Sequence, residues 1–404
     1  MKKDWVQREL YLRRIRPFYD SELIKVIIGV RRSGKSVLLK QIKAELLDRG
    51  IEAEHITYIN FEDYAQRSLK DPEAFHEYMV GLLNPVKKHY LLCDEIQNVQ
   101  DFELVIKTLR ATHDISIFLT GSNARLLSGS LEKHLKGEIL SLKMMPFSFS
   151  EFCTFTELPQ DKGSLDEYMR WGGFPLVCYA HSEESKHALL SDIYDSILLN
   201  DIIMQSRVSS AHVLQKVVEY LLSTSSSTIS GNLIAKALKT NNVKVSEPTV
   251  YDYIRYCEDA CIISKVERFD IRGKRILSFE QKVYAADLGL FQMKKNRVKG
   301  KYCSLMETLV YNELIGRGYQ VCTGKTQNGE VDFIAQKEGK KVYIQVAYVL
   351  DSPKTVEREF GAFQSIEDNY PKYVISSDDW QHSEVEGIIH LPLLSFLTDE
   401  QALG

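Results

Sequence analysis

An eight-residue segment, Gly29-Val-Arg-Arg-Ser-Gly-Lys-Ser36, fits the phosphate-binding loop pattern G-x-x-x-x-G-K-[ST] without a mismatch. An apolar run at residues 23–28 predicts a buried strand before it. Apolar residues recur every three or four positions at 37–47 and predict a helix after it. A strand, a glycine loop and a helix N-terminus in this order present backbone N–H groups to a polyphosphate. The segment therefore predicts a nucleoside triphosphate site, against the alternative of a glycine turn that only joins a strand to a helix.

The residue types within this loop match separate tasks. Gly29 and Gly34 allow backbone conformations and a close approach that a side chain would block. Lys35 can reach the β and γ phosphates, and the Ser36 hydroxyl is a ligand for Mg²⁺. ATP and Mg²⁺ are the expected cofactors, held by Gly29, Val30, Arg31, Arg32, Ser33, Gly34, Lys35, Ser36 and Val37.

Acidic residues follow two further strand candidates. Residues 56–61 run into Glu62 and Asp63, and residues 89–93 run into Asp94 and Glu95. In nucleotide hydrolases the strand that ends in an acid lies beside the phosphate loop; one carboxylate holds the Mg²⁺ shell and the next orients the attacking water. We assign these roles to Asp94 and Glu95, which on an extended segment would point to opposite faces. The alternative is an acidic strand end that faces solvent.

A fourth strand candidate, residues 115–120, runs into Gly121-Ser-Asn123. A polar side chain there would lie between the acid pair and the γ-phosphate, so Asn123 is the predicted sensor. The alternative is a simple turn or a helix cap. Strands that alternate with helices at this spacing predict a parallel sheet with its ligand at the carboxyl ends of the strands.

Composition narrows the class of protein. The chain has 404 residues and a net charge of −4, which predicts several domains and no global attraction to nucleic acid. Seven scattered cysteines without a C-x-x-C pair favour reduced thiols over a disulfide framework or a zinc site. The N-terminus lacks an apolar signal region, and no run reaches membrane-spanning length. We expect a soluble, cytoplasmic protein without membrane contact.

Six segments resemble a family of bacterial and archaeal AAA-like P-loop ATPases that carry a C-terminal domain of unknown function and stand near the signal-transduction ATPases. These segments are Gly29–Ser36, Ile59-Asn-Phe-Glu-Asp63, Asp94-Glu-Ile-Gln97, Leu119-Thr-Gly-Ser-Asn-Ala124, Pro146-Phe-Ser-Phe-Ser-Glu-Phe152 and Trp171-Gly-Gly-Phe-Pro175. The resemblance covers nearly the whole chain. It implies the phosphate loop for phosphate and Mg²⁺, Asp94 for metal, Glu95 for water and Asn123 for sensing.

The chain departs from this family at one position. Relatives have Gly-Arg shortly before the Pro-Phe-Ser-Phe segment, and that arginine is a candidate arginine finger. Lys136-Gly137-Glu138 stands there instead. Since an arginine finger supplies about 10³–10⁵ in rate, its loss puts brisk turnover in doubt. The sequence does not choose among the substitutes Arg31, Arg32, Arg125 and Lys136.

The predicted fold class is α/β: a P-loop NTPase parallel sheet with a helical lid, then a winged helix, then a restriction-endonuclease-like α/β domain. The expected boundaries are 1–145 for the ATPase domain, 146–205 for the lid, 206–298 for the winged helix and 299–404 for the last domain. Three helices followed by a β-ribbon suggest the winged helix. Residues 265–301 hold eleven Lys and Arg against four Asp and Glu. Both DNA contact through this basic segment and plain packing stay open.

The last domain resembles restriction-endonuclease-like folds, in which acids on neighbouring strands bind Mg²⁺ and a lysine of a Glu-x-Lys pair helps activate water. Glu307 and Asp332 could take the acidic places. The Glu-x-Lys pair reads Gln345-Val346-Ala347, however, so one ligand is neutral and the lysine is gone. We expect a degenerate domain without nuclease activity.

The sequence thus predicts a Mg²⁺-dependent ATPase whose hydrolysis drives a conformational switch, acting on DNA, on a protein partner or as a homo-oligomer. Two alternatives stay open. One is a nucleotide-gated regulatory protein with little hydrolysis, and the other is an ATP-coupled nuclease. Lys35, Glu95 and Asn123 are the predicted catalytic residues, with Ser36 and Asp94 on the metal.

Overall fold

The computed structural model describes residues 5–84, 87–127, 137–206, 208–240, 242–293, 302–327, 329–379 and 384–404, with backbone only at 278–280 and 385. The chain divides into two compact units. The first is Met1–Met144 with Asp259–Cys261, and the second is Met145–Glu258 with Ile262–Gly404.

A five-stranded parallel sheet forms the centre of the first unit. Its strands are β1 Ile24–Ile28, β2 Ile56–Asn60, β3 His89–Asp94, β4 Ile115–Gly121 and β5 Ile139–Lys143. Every residue of β1, β3 and β4 is buried, as parallel strands covered on both faces require. The four strands predicted in this region are confirmed, each to within one residue.

Helices alternate with these strands along the chain: α1 Glu9–Ile15, α2 Lys35–Asp48, α3 Pro72–Leu82 and α4 Phe102–Thr112. Short 3-10 segments lie at Arg16–Phe18, Ala53–His55, Tyr64–Lys70, Ile96–Asn98 and Ala124–Leu127. Leu38 and Ile42 of α2 pack with Leu12 of α1 and Ile27 of β1 in one apolar core. This packing fixes the start of α2 at the end of β1, where the phosphate loop lies.

The strand order corrects one expectation. The order is β2-β3-β4-β1-β5, so β4 lies between β1 and the acid-ended strand β3. The sequence analysis assumed that the acid-ended strand lies next to the phosphate loop. In the structure this strand, β3, lies one strand further away. The polar residues at the end of β4 lie between the two instead, which is where that reading put Asn123.

The second unit begins with helices, and residues 146–205 are mostly helical as predicted. The helices are α5 Phe149–Thr156, α6 Lys162–Trp171, α7 Pro175–Tyr179, α8 Glu183–Ser196, α9 Ala211–Ser223, α10 Gly231–Thr240, α11 Glu247–Asp259, α12 Leu288–Met293, α13 Tyr302–Gly316, α14 Pro353–Gly361 and α15 Leu393–Thr398. A π-helical turn, Ile197–Ile203, continues α8. Ser230 caps α10, since its Oγ accepts from Leu233 N at 3.4 Å.

A nine-stranded mixed sheet forms the rest of this unit, in the order β13-β14-β12-β11-β10-β9-β7-β8-β6. Its strands are β6 Ser227–Thr228, β7 Ile263–Asp270, β8 Arg275–Ala285, β9 Gln320–Lys325, β10 Glu330–Lys337, β11 Lys340–Ala347, β12 Lys372–Ser376, β13 Glu384–Val385 and β14 Ile388–Pro392. Strand β7 pairs in parallel with β9. The sheet therefore crosses residue 298, where the sequence reading placed a domain boundary.

The Trp171-Gly-Gly-Phe-Pro175 turn is held by a buried carboxylate from a distant part of the same unit. Asp287 Oδ2 accepts from Gly173 N at 2.8 Å, and Oδ1 accepts from Gly289 N at 2.8 Å. A Cβ on Gly172 would lie 2.1 Å from Asp287 Oδ1, and its φ is +76°. Glycine is thus required there by both space and backbone conformation.

Across the described part of the chain, every helix is too short or too polar to span a bilayer.

Candidate functional site

The phosphate loop has the shape that its sequence predicts. Gly29 follows β1, and a Cβ there would lie 2.2 Å from Met144 O. Gly34 stands directly before α2 with a φ of +101°, a conformation that side-chain-bearing residues rarely adopt. Arg32 also has a positive φ, at +68°. Together these residues turn the chain from β1 into the N-terminus of α2, whose free N–H groups favour an anion.

Lys35 is buried at the first position of α2 and points back over the loop. Its Nζ donates to Gly29 O at 3.0 Å and to Val30 O at 3.3 Å. It also lies 3.6 Å from Glu95 Oε1. The structure thus brings the loop lysine and the predicted water-orienting acid together from distant parts of the chain.

Asp94 is fully buried at the end of β3. Its Oδ1 accepts from Thr120 Oγ1 at 2.5 Å, and its Oδ2 accepts from Tyr58 Oη at 3.0 Å. Burial and the charges of Asp94 and Glu95 raise the pKa of Tyr58, so this hydroxyl stays protonated and keeps donating. Thr120 and Tyr58 orient the carboxylate that is predicted to hold Mg²⁺, and neither residue was singled out from the sequence.

Glu95 is not part of an extended strand. Its φ is +52°, so the backbone turns at this residue and the alternation assumed for an extended pair does not apply. Its N–H donates to Thr120 Oγ1 at 3.0 Å. Its Oε2 accepts from Ser122 N at 3.2 Å and from Gln97 Nε2 at 2.5 Å.

The electrostatics of Glu95 favour the ionised form. Burial alone would raise its pKa. The charge of Lys35, the hydrogen bond from Gln97, the charge of Arg31 and the Ser122 N–H together outweigh burial and hold the pKa below its ordinary range. An ionised carboxylate beside the phosphate loop is the state that a base for an attacking water requires.

Asn123 is buried just after β4. Its Oδ1 accepts from Arg125 N at 2.9 Å, the bond of an Asx turn that begins the 3-10 segment Ala124–Leu127. The cap that the sequence left open as an alternative is therefore present, and a sensing role for the amide nitrogen stays a prediction. Ser36 and Val37 lie half-buried in the first turn of α2.

The candidate arginine-finger substitutes lie in different settings. Arg31 Nη1 lies 3.0 Å from Glu62 Oε1 at the end of β2. Arg32 is exposed on the loop. Glu138, which stands where the family resemblance implies an arginine, pairs with Arg110 of α4. Lys136 lies outside the described residues.

Arg8 is a contact of the phosphate loop that sequence reasoning missed. It is 1% exposed, and its Nη1 donates to Ser33 O at 3.0 Å. Its backbone N–H donates to Gln41 Oε1 of α2 at 3.1 Å, and its guanidinium lies over the Tyr11 ring at 4.9 Å. A single arginine before α1 thus ties the N-terminal segment to the loop. Only the burial of this charge signals the contact, and burial cannot be read from the sequence.

A second cluster of charged groups lies in the nine-stranded sheet. Lys282 of β8 is buried with its Nζ 2.9 Å from Glu307 Oε1 and 3.6 Å from Asp332 Oδ1, and it pairs with Glu330. Burial lowers the pKa of Lys282, but the three carboxylates outweigh it and hold the pKa above its usual range. Burial raises the pKa of Glu307, and burial together with the Glu307 charge raises that of Asp332.

The predicted nuclease acids, Glu307 and Asp332, therefore lie at one site, and both face the same lysine, Lys282. Gln345 is engaged locally: its Oε1 accepts from Asp332 N at 3.2 Å and its Nε2 donates to Glu359 Oε2 at 2.9 Å. Ala347 is buried in an apolar core. Lys282 was not predicted to join this cluster, because its strand lies in the segment assigned to the winged helix.

Part of the basic segment is neutralised by acids. Lys265 Nζ lies 2.8 Å from Glu258 Oε2, and Arg268 Nη2 lies 3.0 Å from Glu330 Oε2. Residues 272–275 at the hairpin tip between β7 and β8 are exposed. Residues 294–301 lie outside the described residues. The tip is therefore the described part of this segment that offers exposed cations.

Two family models match the chain. An AAA domain (AAA_14) matches residues 21–153, and a domain of unknown function (DUF8612) matches residues 162–298. An uncharacterized protein of Haemophilus influenzae is 36% identical over 393 residues, which is 96% of this chain and 97% of that protein. Uncharacterized protein MJ1544 of Methanocaldococcus jannaschii is 30% identical over 357 residues, 84% of this chain and 78% of that protein.

Among solved structures, a Walker-type ATPase of Pyrococcus abyssi is similar in fold. It covers 72% of this chain and 97% of its own length, with a TM-score of 0.51 at 15% identity. At that identity the likeness concerns the fold alone.

Proposed function

Since the chain belongs to the family of AAA-domain proteins that includes these Haemophilus influenzae and Methanocaldococcus jannaschii relatives, we propose that it is a Mg²⁺-dependent ATPase whose hydrolysis drives a conformational switch. One observation carries the proposal. Lys35 of the phosphate loop and Glu95 after β3 lie 3.6 Å apart, which supports a site shared by the proposed phosphate ligand and the proposed base.

The residues present fit ATP and Mg²⁺. The loop N–H groups, the start of α2 and Lys35 would hold the phosphates. The Ser33 hydroxyl is buried without a hydrogen-bond partner among the described residues, which is consistent with a loop shaped for a ligand. Ser36 and Asp94 would hold Mg²⁺, which supplies charge neutralisation on the phosphates.

Hydrolysis forms a bond between a water oxygen and the γ-phosphorus, and breaks the bond from that phosphorus to the β–γ bridging oxygen. ADP and phosphate leave. Glu95 takes the proton of the water and returns it to solvent. Asn123, just after β4, would contact the γ-phosphate through its amide nitrogen.

The test is steady-state ATP hydrolysis by the full chain with and without Mg²⁺, for wild type, Glu95→Gln and the exposed control Glu73→Gln on α3. We expect Glu95→Gln to bind ATP and to lose about 10²–10⁴-fold in rate, with Glu73→Gln unchanged. Full activity of Glu95→Gln would remove this acid from the mechanism.

A second candidate is a nucleotide-gated binding protein with little hydrolysis. The observation that favours it is Glu138, which pairs with Arg110 where relatives have an arginine. Under this candidate wild type and Glu95→Gln both bind ATP and neither turns it over.

A nuclease driven by ATP is disfavoured by Ala347, which is buried in an apolar core at the position where a Glu-x-Lys pair would have its lysine. Mg²⁺-dependent strand cleavage that is abolished by Asp332→Ala would restore it. The winged-helix and restriction-endonuclease-like domains remain part of this proposal, joined by the nine-stranded sheet that continues across residue 298.

Contact with DNA is the least determined part of the proposed function. Adding duplex DNA to the hydrolysis assay tests it, since stimulation would name the class of partner. Neutralising Lys274 and Arg275 at the exposed hairpin tip should then lower affinity and reduce its salt dependence. Affinity that does not change would move the contact elsewhere.

A further inference from the structure

The side chain of Gln97 is bonded to the predicted base of the ATPase site. It belongs to the 3-10 turn Ile96–Asn98 that directly follows Glu95. Its Nε2 donates to Glu95 Oε2 at 2.5 Å and lies 3.5 Å from Ser122 Oγ. Ser122 N donates to the same Glu95 oxygen at 3.2 Å. The other Glu95 oxygen, Oε1, faces Lys35 Nζ at 3.6 Å. The two oxygens of one carboxylate therefore have different partners.

We propose that Gln97 is a positioning residue for hydrolysis: with Ser122 N it holds Glu95 Oε2, so that Oε1 alone turns to the attacking water once Lys35 has moved to the phosphates. This inference rests on the proposed ATPase function and adds a residue to its mechanism.

Lys35 is a partner that Glu95 must lose. In this structure its Nζ is shared among Gly29 O, Val30 O and Glu95. The β and γ phosphates of a bound nucleotide carry more charge than these partners and compete for the same ammonium. Glu95 Oε1 is then released at the moment when a base is needed. A carboxylate held at neither oxygen would rotate, and misplacement of a reacting group costs rate steeply.

The space for the Gln97 side chain is built into the fold. A Cβ on Gly121, the last residue of β4, would lie 2.7 Å from Gln97 Oε1 and 1.9 Å from Leu126 Cδ1. Glycine at this strand end therefore leaves room for the glutamine to cross from β3 toward β4. A side chain at position 121 would therefore displace Gln97 without contacting Glu95 itself.

The orientation of the Gln97 amide is set by Glu95. Gln97 Oε1 is buried and has no hydrogen-bond partner in the described part of the chain. Buried amide oxygens are normally paired, and an unpaired one is a cost. The reverse orientation would place Oε1 against the Glu95 carboxylate, where two acceptors repel. The amide therefore keeps its donor on Glu95 at the expense of its own oxygen.

The test compares Gln97→Met and Gln97→Glu in the full chain. Methionine keeps the unbranched length of glutamine without the amide, and glutamate places a like charge beside Glu95. For each variant kcat, KM and the dissociation constant of a non-hydrolysable ATP analogue are measured.

We expect kcat to fall about 10–100-fold for Gln97→Met, and further for Gln97→Glu. Affinity for the analogue should stay within about threefold for Gln97→Met, because Gln97 does not touch the phosphates. A fall in kcat with affinity for the analogue preserved is the split that a purely structural role would not give, because a disturbed site would also bind the analogue less tightly.

The outcomes separate this inference from the function beneath it. An unchanged kcat in Gln97→Met, or a kcat that falls only as far as affinity for the analogue, overturns the role of Gln97 and leaves the ATPase intact if Glu95→Gln is inactive. Full activity in Glu95→Gln overturns the base assignment whatever Gln97 does. A wild-type chain that binds ATP without hydrolysing it overturns both.

Discussion

Thr120 Oγ1 donates to Asp94 Oδ1 at 2.5 Å, and the same oxygen accepts from the N–H of Glu95 at 3.0 Å. One hydroxyl from β4 therefore fixes both Asp94, the last residue of β3, and Glu95, which follows it. Asp94 is fully buried, so the loss of a donor to its carboxylate is not compensated by water.

Thr120→Val should destabilise the first unit and weaken the proposed metal site, because it removes that hydroxyl while keeping the shape. The expected loss is about 1–3 kcal/mol in the free energy of unfolding, with a higher Mg²⁺ requirement for ATP hydrolysis. Thr120→Ser keeps the hydroxyl and serves as the control. Denaturant unfolding and Mg²⁺ titration of the rate measure both effects, and equal behaviour of the valine and serine variants would contradict the role.

Arg8→Met should lower affinity for ATP, since the guanidinium that donates to Ser33 O holds the phosphate loop in shape. A hydrogen bond from a charged group contributes about 1.5–3 kcal/mol, so a loss of roughly tenfold or more in affinity is expected. Arg8→Lys should fall between the two, because an ammonium lacks the planar fork.

The matched control for Arg8 is Arg13→Met on the surface of α1, where the side chain is 61% exposed and its Nε lies 3.9 Å from Glu9 Oε1. Calorimetric titration with an ATP analogue compares the variants. Unchanged affinity in Arg8→Met would show that the loop holds its shape without this contact.

Asp287 should make stability depend on pH. Burial raises its pKa to about 6 from an ordinary value of 3.8, although three backbone N–H groups act to lower it. The folded state therefore holds the proton more tightly than the unfolded state. The contribution of this carboxyl to stability is full below about pH 4 and is lost as the pH rises to about 6, by roughly 3 kcal/mol.

Asp287→Asn removes this titration and places an NH₂ against either Gly173 N or Gly289 N, so it should be less stable than wild type. The difference between the two proteins should grow as the pH falls from about 7 toward 5. Urea unfolding at several pH values checks the sign, and a difference that shrinks toward acid pH would refute it.

Lys282→Met should destabilise the second unit by about 3–5 kcal/mol at neutral pH, because it leaves buried carboxylates without their cation. Since the pKa values of Glu307 and Asp332 are already raised, these groups take up protons readily, and the loss should shrink at about pH 5. Lys216→Met is the control, because its side chain is 42% exposed beside Glu219 and such pairs contribute little. Denaturant unfolding of both variants at the two pH values would settle the comparison.

The sequence was most informative where one local pattern determines one structure. The glycine loop, the apolar strands and the amphipathic helix after the loop are specified within short windows, and their predicted bounds differ little from those observed. Asp94 and Glu95 could be proposed for the site because an acid pair follows an apolar strand downstream of the phosphate loop. Thr120, Gln97 and Arg8 could not, since threonine in a strand, glutamine in a turn and arginine near a terminus are ordinary until the fold brings them to the site.

The order of strands could not be predicted from local sequence patterns. The strand that lies between β1 and β3 is decided by the crossover connections, and no residue of β4 indicates its place. For the same reason the sheet continuity across residue 298 was not foreseen. Lys282 was counted among the cations available to DNA, while in the structure it is the internal partner of acids from β10 and α13.

The shared nine-stranded sheet has a consequence for synthesis on the ribosome. Strand β7 is synthesised well before its parallel partner β9. The N–H and C=O groups on that edge of β7 therefore have no pairing strand until residues 320–325 leave the ribosome. Such an edge pairs readily with other chains. A nascent chain halted near residue 298 would therefore be prone to aggregation, because it is not a complete folding unit. Recombinant fragments that end there should aggregate under conditions in which the intact polypeptide does not.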